Sequence, residues 1–272
     1  MLDAMSPADS IDPAGSPDAA DAATATAAAQ GTSKPLTPRA RARARTIADI
    51  IRLGREHLAK DGAAALSLRA VARDLGVVSS AVYRYVESRD ELLTLLLVDA
   101  YNELGDAVDA ALAACAEDDH RGRFSALAHA VRSWALSEPA RYGLLFGSPV
   151  PGYKAPAERT TEPGTRVVRA LIGIVDGAYR SAGPVASQPE PPTVGPALHA
   201  DFEAIRGDLG VVLSDAVLAR GTLVWTALFG AISFEVFGQY GPDTFSARDE
   251  LFDQHVEYLA RLAGLDRGAG PG

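Results

Sequence analysis

Between Ser79 and Tyr85 the chain reads Ser-Ser-Ala-Val-Tyr-Arg-Tyr, a run of hydroxyls, aromatic rings and one guanidinium. Val82 is its one large aliphatic residue, and with Val86 four positions on it gives a helix a single side to bury. Ser79, Ser80, Ala81, Tyr83, Arg84 and Tyr85 are left with little to pack against. The chemistry open to such a face is non-covalent. Small residues let a helix come close to base edges, an arginine can donate to guanine O6 and N7, and tyrosine hydroxyls reach phosphates, so the face suits the major groove of double-stranded DNA.

Residues for covalent chemistry are harder to find. The chain carries no nucleophile elbow, GxGxxG, Walker A loop or HExxH. His199 and Glu203 lie four apart on one helix face, but without a third ligand nearby they read as a solvated surface. No catalytic residue, metal site or cofactor is expected. Tyr101, His129, Trp134, Tyr142 and Phe146 put polar and aromatic groups on otherwise apolar segments; they could line a pocket for an apolar or aromatic small molecule, or equally be core residues with satisfied polar atoms. The lone Cys115 cannot form an intramolecular disulfide, which leaves an oxidant-sensing role as a minor alternative.

The elements that must position the Ser79–Tyr85 face lie on either side of it. Over Leu66–Val86, LSLRAVARDLGVVSSAVYRYV, the residues Leu68, Val71, Ala72 and Leu75 recur at helical spacing behind Ser67, whose hydroxyl is placed to cap. Gly76 stops that helix, and Ser79 supplies a second start signal, so the segment reads as a helix-turn-helix. The longer run RTIADIIRLGREHLAKDGAAALSLRAVARDLGVVSSAVYRYVESRDELL resembles the DNA-binding domain of the TetR family of bacterial repressors, and WALSEPARYGLLFGSPVPGY, Trp134 to Tyr153, is similar to a ligand-domain segment of one large subgroup. The resemblance implies an all-α, Ω-shaped homodimer, a small reading head on a larger body that binds an inducer. It further implies that Arg69, Tyr83, Tyr85 and Arg89 hold phosphates, and that the long helix after the head is the lever by which a ligand moves it.

Net charge of −9 argues against a nucleic-acid partner until it is divided along the chain. Residues 1–33 carry −5, residues 34–90 carry +6, and residues 91–272 carry −10. A positive segment of that size is the footprint of a phosphate-binding surface. Lys34, Arg39, Arg41, Arg43 and Arg45 form a basic, flexible arm that could enter the minor groove or follow the backbone. Residues 1–37 are expected to be a disordered acidic tail and the start of this arm, 38–90 the DNA-binding domain, 91–265 a helical ligand-binding and dimerisation domain, and 266–272 a flexible end.

In the body the apolar spacing is helical throughout, with no period-two pattern. Ser88 and Glu91 form a capping box for a helix running to about Ala116. Helices are expected over Phe124–Trp134, Tyr142–Phe146 and Val167–Ala178, then, after a Pro-rich break from Gly183 to Pro196, over about 197–209, 214–239 and 246–262. The helix through Trp225, Leu228, Phe229 and Ile232 is apolar on too many sides for one contact; with Leu251 and Leu259 it resembles the family's four-helix dimer interface. Its longest uncharged stretch, 14 residues, is short for a membrane span, and the first ten residues are not a secretory signal, so a cytoplasmic, nucleoid-associated protein without a membrane partner is expected. The leading expectation is a transcriptional repressor binding a pseudo-palindromic operator and released by a small-molecule inducer. A ligand-independent DNA-binding protein and an enzyme with a vestigial head are the alternatives.

Overall fold

A computed structural model describes residues 37–182 and 193–265, all of whose regular structure is helical. The tail before residue 37, most of the Pro-rich break and the last seven residues lie outside the described residues, and so do the expectations placed on them. The chain divides into a short unit up to Arg41 and a main unit from Ala42 onward. Ten α-helices are described: α1 Pro38–Asp61, α2 Leu68–Asp74, α3 Ser79–Tyr83, α4 Arg89–Ala113, α5 His120–Ser137, α6 Pro139–Phe146, α7 Ala157–Ala182, α8 Pro196–Leu209, α9 Asp215–Val236 and α10 Arg248–Leu262.

The basic residues expected in a flexible arm are helical from position 38 onward, because Arg39 to Arg45 belong to the first two turns of α1. Alternating alanine and arginine are both strong helix formers, so the spacing that suggested an extended arm extends the scaffold helix instead. The turn between α2 and α3 closes as foreseen at Gly76, which takes φ +74°, with Gly76 N–H donating to Arg73 O and Val77 N–H to Ala72 O, both at 3.0 Å. Neither expected hydroxyl cap is formed: Ser67 makes no side-chain cap bond, and Ser79 lies inside α3, whose cap position is Val78. The Ser88 cap is made, its hydroxyl accepting from Glu91 N–H at 3.1 Å.

Two hydrophobic cores result. Ile50 and Leu53 of α1, Val71 and Ala72 of α2, Val82, Val86, and Leu92, Leu93 and Leu96 of α4 form the first. The second is built from α4 from Ala100 onward, α5, α7, α9 and α10, with Tyr142 of α6 and Phe202 of α8. α4 contributes to both and packs along α5, α6 and α7, so a single helix runs from one core to the other. α7 starts ten residues before the apolar stripe that announced it, carrying Pro163 within the helix. α9 has the length and hydropathy of a membrane-crossing helix, yet Val217, Leu218, Val224, Leu228, Phe229 and Ile232 are spent on the second core.

Candidate nucleic-acid interface and its connection to the body

α3 is five residues long, and the reading segment ends earlier than the spacing suggested. Arg84 and Tyr85 lie in the turn that follows, although Val86 N–H still donates to Val82 O at 3.0 Å and keeps the last residues on the helical path. Val82 and Val86 are buried in the head core. Against that anchor, Ser80, Tyr83 and Arg84 are exposed while Ser79, Ala81 and Tyr85 are half-buried, so the face expected to be free is open in part. Arg69, on α2, is also exposed.

Two predicted phosphate ligands are engaged within the protein. Arg89 donates to the carbonyls of Ala63 and Ala64 at 2.9 and 3.2 Å, closing the 3-10 turn Ala63–Ala65 onto the start of α4, and so serves the head's internal structure. Arg43 donates to Arg84 O at 3.4 Å and lies over the Tyr85 ring at 5.3 Å. It braces the end of the reading segment while its side remains open to solvent. Arg41 and Arg45 are exposed on α1. Sequence reasoning missed Val77 and Val78, which are 40% and 71% exposed in the turn before α3. Their signal was present, since two adjacent aliphatics in a two-residue turn cannot both face a core, and an exposed apolar group beside a reading helix suits a thymine methyl.

The body meets the head through polar contacts that spacing did not reveal. Arg55 of α1 makes a two-pronged bond to Asp99 of α4, at 2.7 and 2.6 Å, and reaches Glu103 at 3.1 Å. Arg141 of α6 is almost fully buried, donates to the same Asp99 at 3.1 Å and to Glu103 at 2.7 Å, and lies over the Trp134 ring. Trp134 Nε1 donates to Glu103 as well, at 3.2 Å. Burial raises the Glu103 carboxyl, but Arg141, Trp134 and Arg55 together hold it below its ordinary range. A second tie lies nearer the start of α4: Thr94 and Tyr153 hydroxyls bond at 2.9 Å, Arg159 pairs with Glu91 at 2.6 Å, and Leu144, Val150 and Tyr153 pack on the head core.

The five residues grouped as a ligand pocket are not all brought together. Tyr101, Tyr142 and Phe146 do meet, as rings 6.4 and 5.0 Å apart, but in packed surroundings: Tyr142 is fully buried, bonded to Ser233 at 2.8 Å and flanked by Phe237, while Phe146 packs on Phe229. Trp134 belongs to the Arg141 network. His129 is remote from both, its ring held between Ser125 O and Asp253 at 2.8 Å each. Periodicity assigned each side chain to a buried stripe but could not say which stripes face one another.

The residues expected at a dimer interface are divided between the protomer's core and an open groove that Leu251 and Leu259 line. Leu228 and Ile232 have no exposed surface within a single chain, and Phe229 and Leu259 are 8% exposed, so these four serve the protomer's own core. Trp225 meets Phe229 in a tilted ring contact at 4.1 Å, and Leu251 is half-buried. The side of α9 left open carries Leu223, Ala227, Gly230, Ala231 and Phe234, continued on α10 by Tyr258, with Phe234 and Tyr258 49% and 63% exposed.

Residues 50–96 match the family model for bacterial regulatory proteins of the tetR family, and residues 124–259 match that for the tetracyclin repressor-like C-terminal domain. The HTH-type transcriptional regulators Rv1816 of Mycobacterium tuberculosis and Mb1846 of Mycobacterium bovis are each 49% identical over 226 residues, covering 81% of this chain and 93% of theirs. Among solved structures, the regulatory protein SCO4313 superposes with a TM-score of 0.65 at 35% identity, over 82% of this chain and 98% of that one. A protein from Rhodococcus sp. RHA1 has the same fold, with a TM-score of 0.55 at 23% identity over 78% and 94% of the two chains.

Proposed function

The chain belongs to the TetR family of bacterial transcriptional regulators, and we propose that within it this protein is a repressor that grips a pseudo-palindromic operator as a homodimer and is released by a small-molecule inducer. That it is a DNA-binding regulator follows from the family; its work on DNA is cytoplasmic work, done at the nucleoid.

The observation that carries inducible control is the shared carboxylate Asp99. Arg55, from the head, and Arg141, from the body, donate to one side chain on α4, so the two parts are joined by charged bonds with demanding geometry. Arg–carboxylate pairs of this kind hold orientation tightly because both partners are planar. A ligand that prefers a body with α6 slightly displaced must therefore alter how α1 is held, and its effect on operator affinity equals the ratio of its affinities for the two arrangements. Homodimerisation through the open side of α9 and α10 supplies the two heads that a pseudo-palindrome requires. Gly230, Ala227 and Ala231 would allow the helices of two copies to approach closely.

The test is selection of operator fragments from a random DNA pool, followed by footprinting in the presence of a metabolite library. A sharp two-half-site footprint that a compound abolishes is the expected result. A footprint that no compound disturbs would overturn inducible control and leave a ligand-independent regulator.

A further inference from the structure

We propose that the cleft between α7, α8 and α9 is a binding site for a neutral, largely apolar molecule of one or two rings, with α8 as its adjustable wall. The site follows from the cavity itself, whereas any effect of its occupant on DNA rests on the repressor reading above.

The cleft, open to solvent on one side, holds about 200 Å³, and Leu171, Val175, Phe202, Val217 and Trp225 are among its walls. Among the described residues, no ionisable side chain lines it. Its one hydroxyl belongs to Thr222, which already donates to Leu218 O at 3.0 Å and has lone pairs left to accept a single N–H or O–H. An apolar cavity of somewhat smaller size, roughly 150 Å³, stays empty of water and takes up benzene, since water needs two or more polar partners that such walls do not offer. Ions, phosphates and sugars are excluded by the same lining, because their polar groups would be stripped of water without replacement.

Two features suggest that the space is kept open. Gly221 sits inside α9 on the cavity wall, where a glycine costs helix stability relative to alanine, and a Cβ built there would meet no atom within 4 Å. A side chain could fill the space, yet none does. α8, in turn, inserts one fully buried residue, Phe202, while Leu198 and Ile205 remain 45% and 36% exposed. Its other attachments are polar: Arg206 donates to Asp215 at 2.8 Å and to Leu213 O at 2.9 Å, and His199 lies 2.7 Å from Asp215. A helix held by one apolar plug and a polar latch can shift outward for a larger guest without breaking the core.

The cavity also has a continuous route to the head. Trp225, on its wall, meets Phe229 in a tilted ring contact with centroids 4.1 Å apart, Phe229 meets Phe146 at 4.7 Å, and Phe146 meets Tyr142 at 5.0 Å, and the neighbour of Tyr142 is Arg141. A guest pressing on the indole would thus press on the aromatic column that seats α6.

The test uses the full-length protein with indole and toluene as probes and benzoate as the charged control, read by thermal unfolding and isothermal titration. Indole and toluene are expected to bind and raise the unfolding midpoint of the wild type, and benzoate to do neither. Gly221→Leu should fold normally and weaken indole binding by at least about tenfold, because its side chain occupies the guest's place. Val168→Phe, filling the cleft from α7, should do the same and keeps the test valid if Gly221→Leu fails to fold. The proposal is overturned if wild type binds neither neutral probe up to its solubility, if benzoate binds as well as indole, or if the filled variants bind indole as the wild type does. Binding without any change in the DNA footprint would uphold the site and count against the repressor reading alone.

Discussion

Arg84 and Glu103 show how much of this protein's behaviour turns on single charged groups. Arg84 is exposed just past α3, while its own carbonyl accepts from Arg43, so its backbone is fixed and its guanidinium is not. Arg84→Ala is expected to cost about 1 to 3 kcal/mol on the preferred operator and to relax base preference at one position of each half-site. Binding selections on the variant check this; unchanged preference with a shallower salt dependence would make Arg84 a phosphate contact. Glu103 is raised by burial but held below its ordinary value of 4.5 by Arg141 and its neighbours. A carboxylate whose folded pKa lies below its unfolded one adds stability that is complete above the unfolded value and lost as pH falls through the folded one. Glu103→Gln should therefore lower the urea midpoint at neutral pH, and its gap from wild type should close as the pH is taken below 4.5.

At the scale of elements, α4 is the part that head and body share, and its acidic residues Glu91, Asp99 and Glu103 tie the two together. Asp99 accepts from both Arg55 and Arg141, so the two arginines are coupled through one carboxylate. A double-mutant cycle with Arg55→Met and Arg141→Met should show an interaction energy of about 0.5 to 3 kcal/mol in equilibrium unfolding, whereas additive effects would mean that the shared carboxylate couples nothing. Arg141→Met is expected to be the more harmful single change, because Arg141 is 2% exposed while Arg55 stays partly in water.

For the molecule as a whole, the open face of α9 and α10 and the closed one make opposite predictions. Phe234 and Tyr258 are largely exposed in one chain, so aspartate at both leaves the protomer fold intact while placing charge in a dimer contact, at a cost of several kcal/mol. Light scattering should find folded monomers, with operator affinity falling because two heads no longer bind together. Leu228→Asp, by contrast, should unfold the chain, since Leu228 has no exposed surface to begin with. A Phe234/Tyr258 variant that remains dimeric would place the interface elsewhere.

Local signals by themselves determined the all-helical class, the turn at Gly76, the Ser88 cap and the partly open face of Ser79 to Tyr85. Each depends on interactions within a few residues: a positive φ that glycine tolerates, a hydroxyl reaching three residues on, a stripe with one buried side. Contacts between distant segments were decided by tertiary structure alone. Sequence spacing marked Leu228 and Ile232 as apolar but could not tell a partner's surface from the protomer's own core, and it marked Tyr142 and Trp134 as aromatic without showing that one is packed solid and the other bonded to Glu103. The Arg55–Asp99–Arg141 bridge joins residues more than forty positions apart, and the cavity beside Gly221 exists because three helices meet there, so neither leaves a periodic trace along the chain.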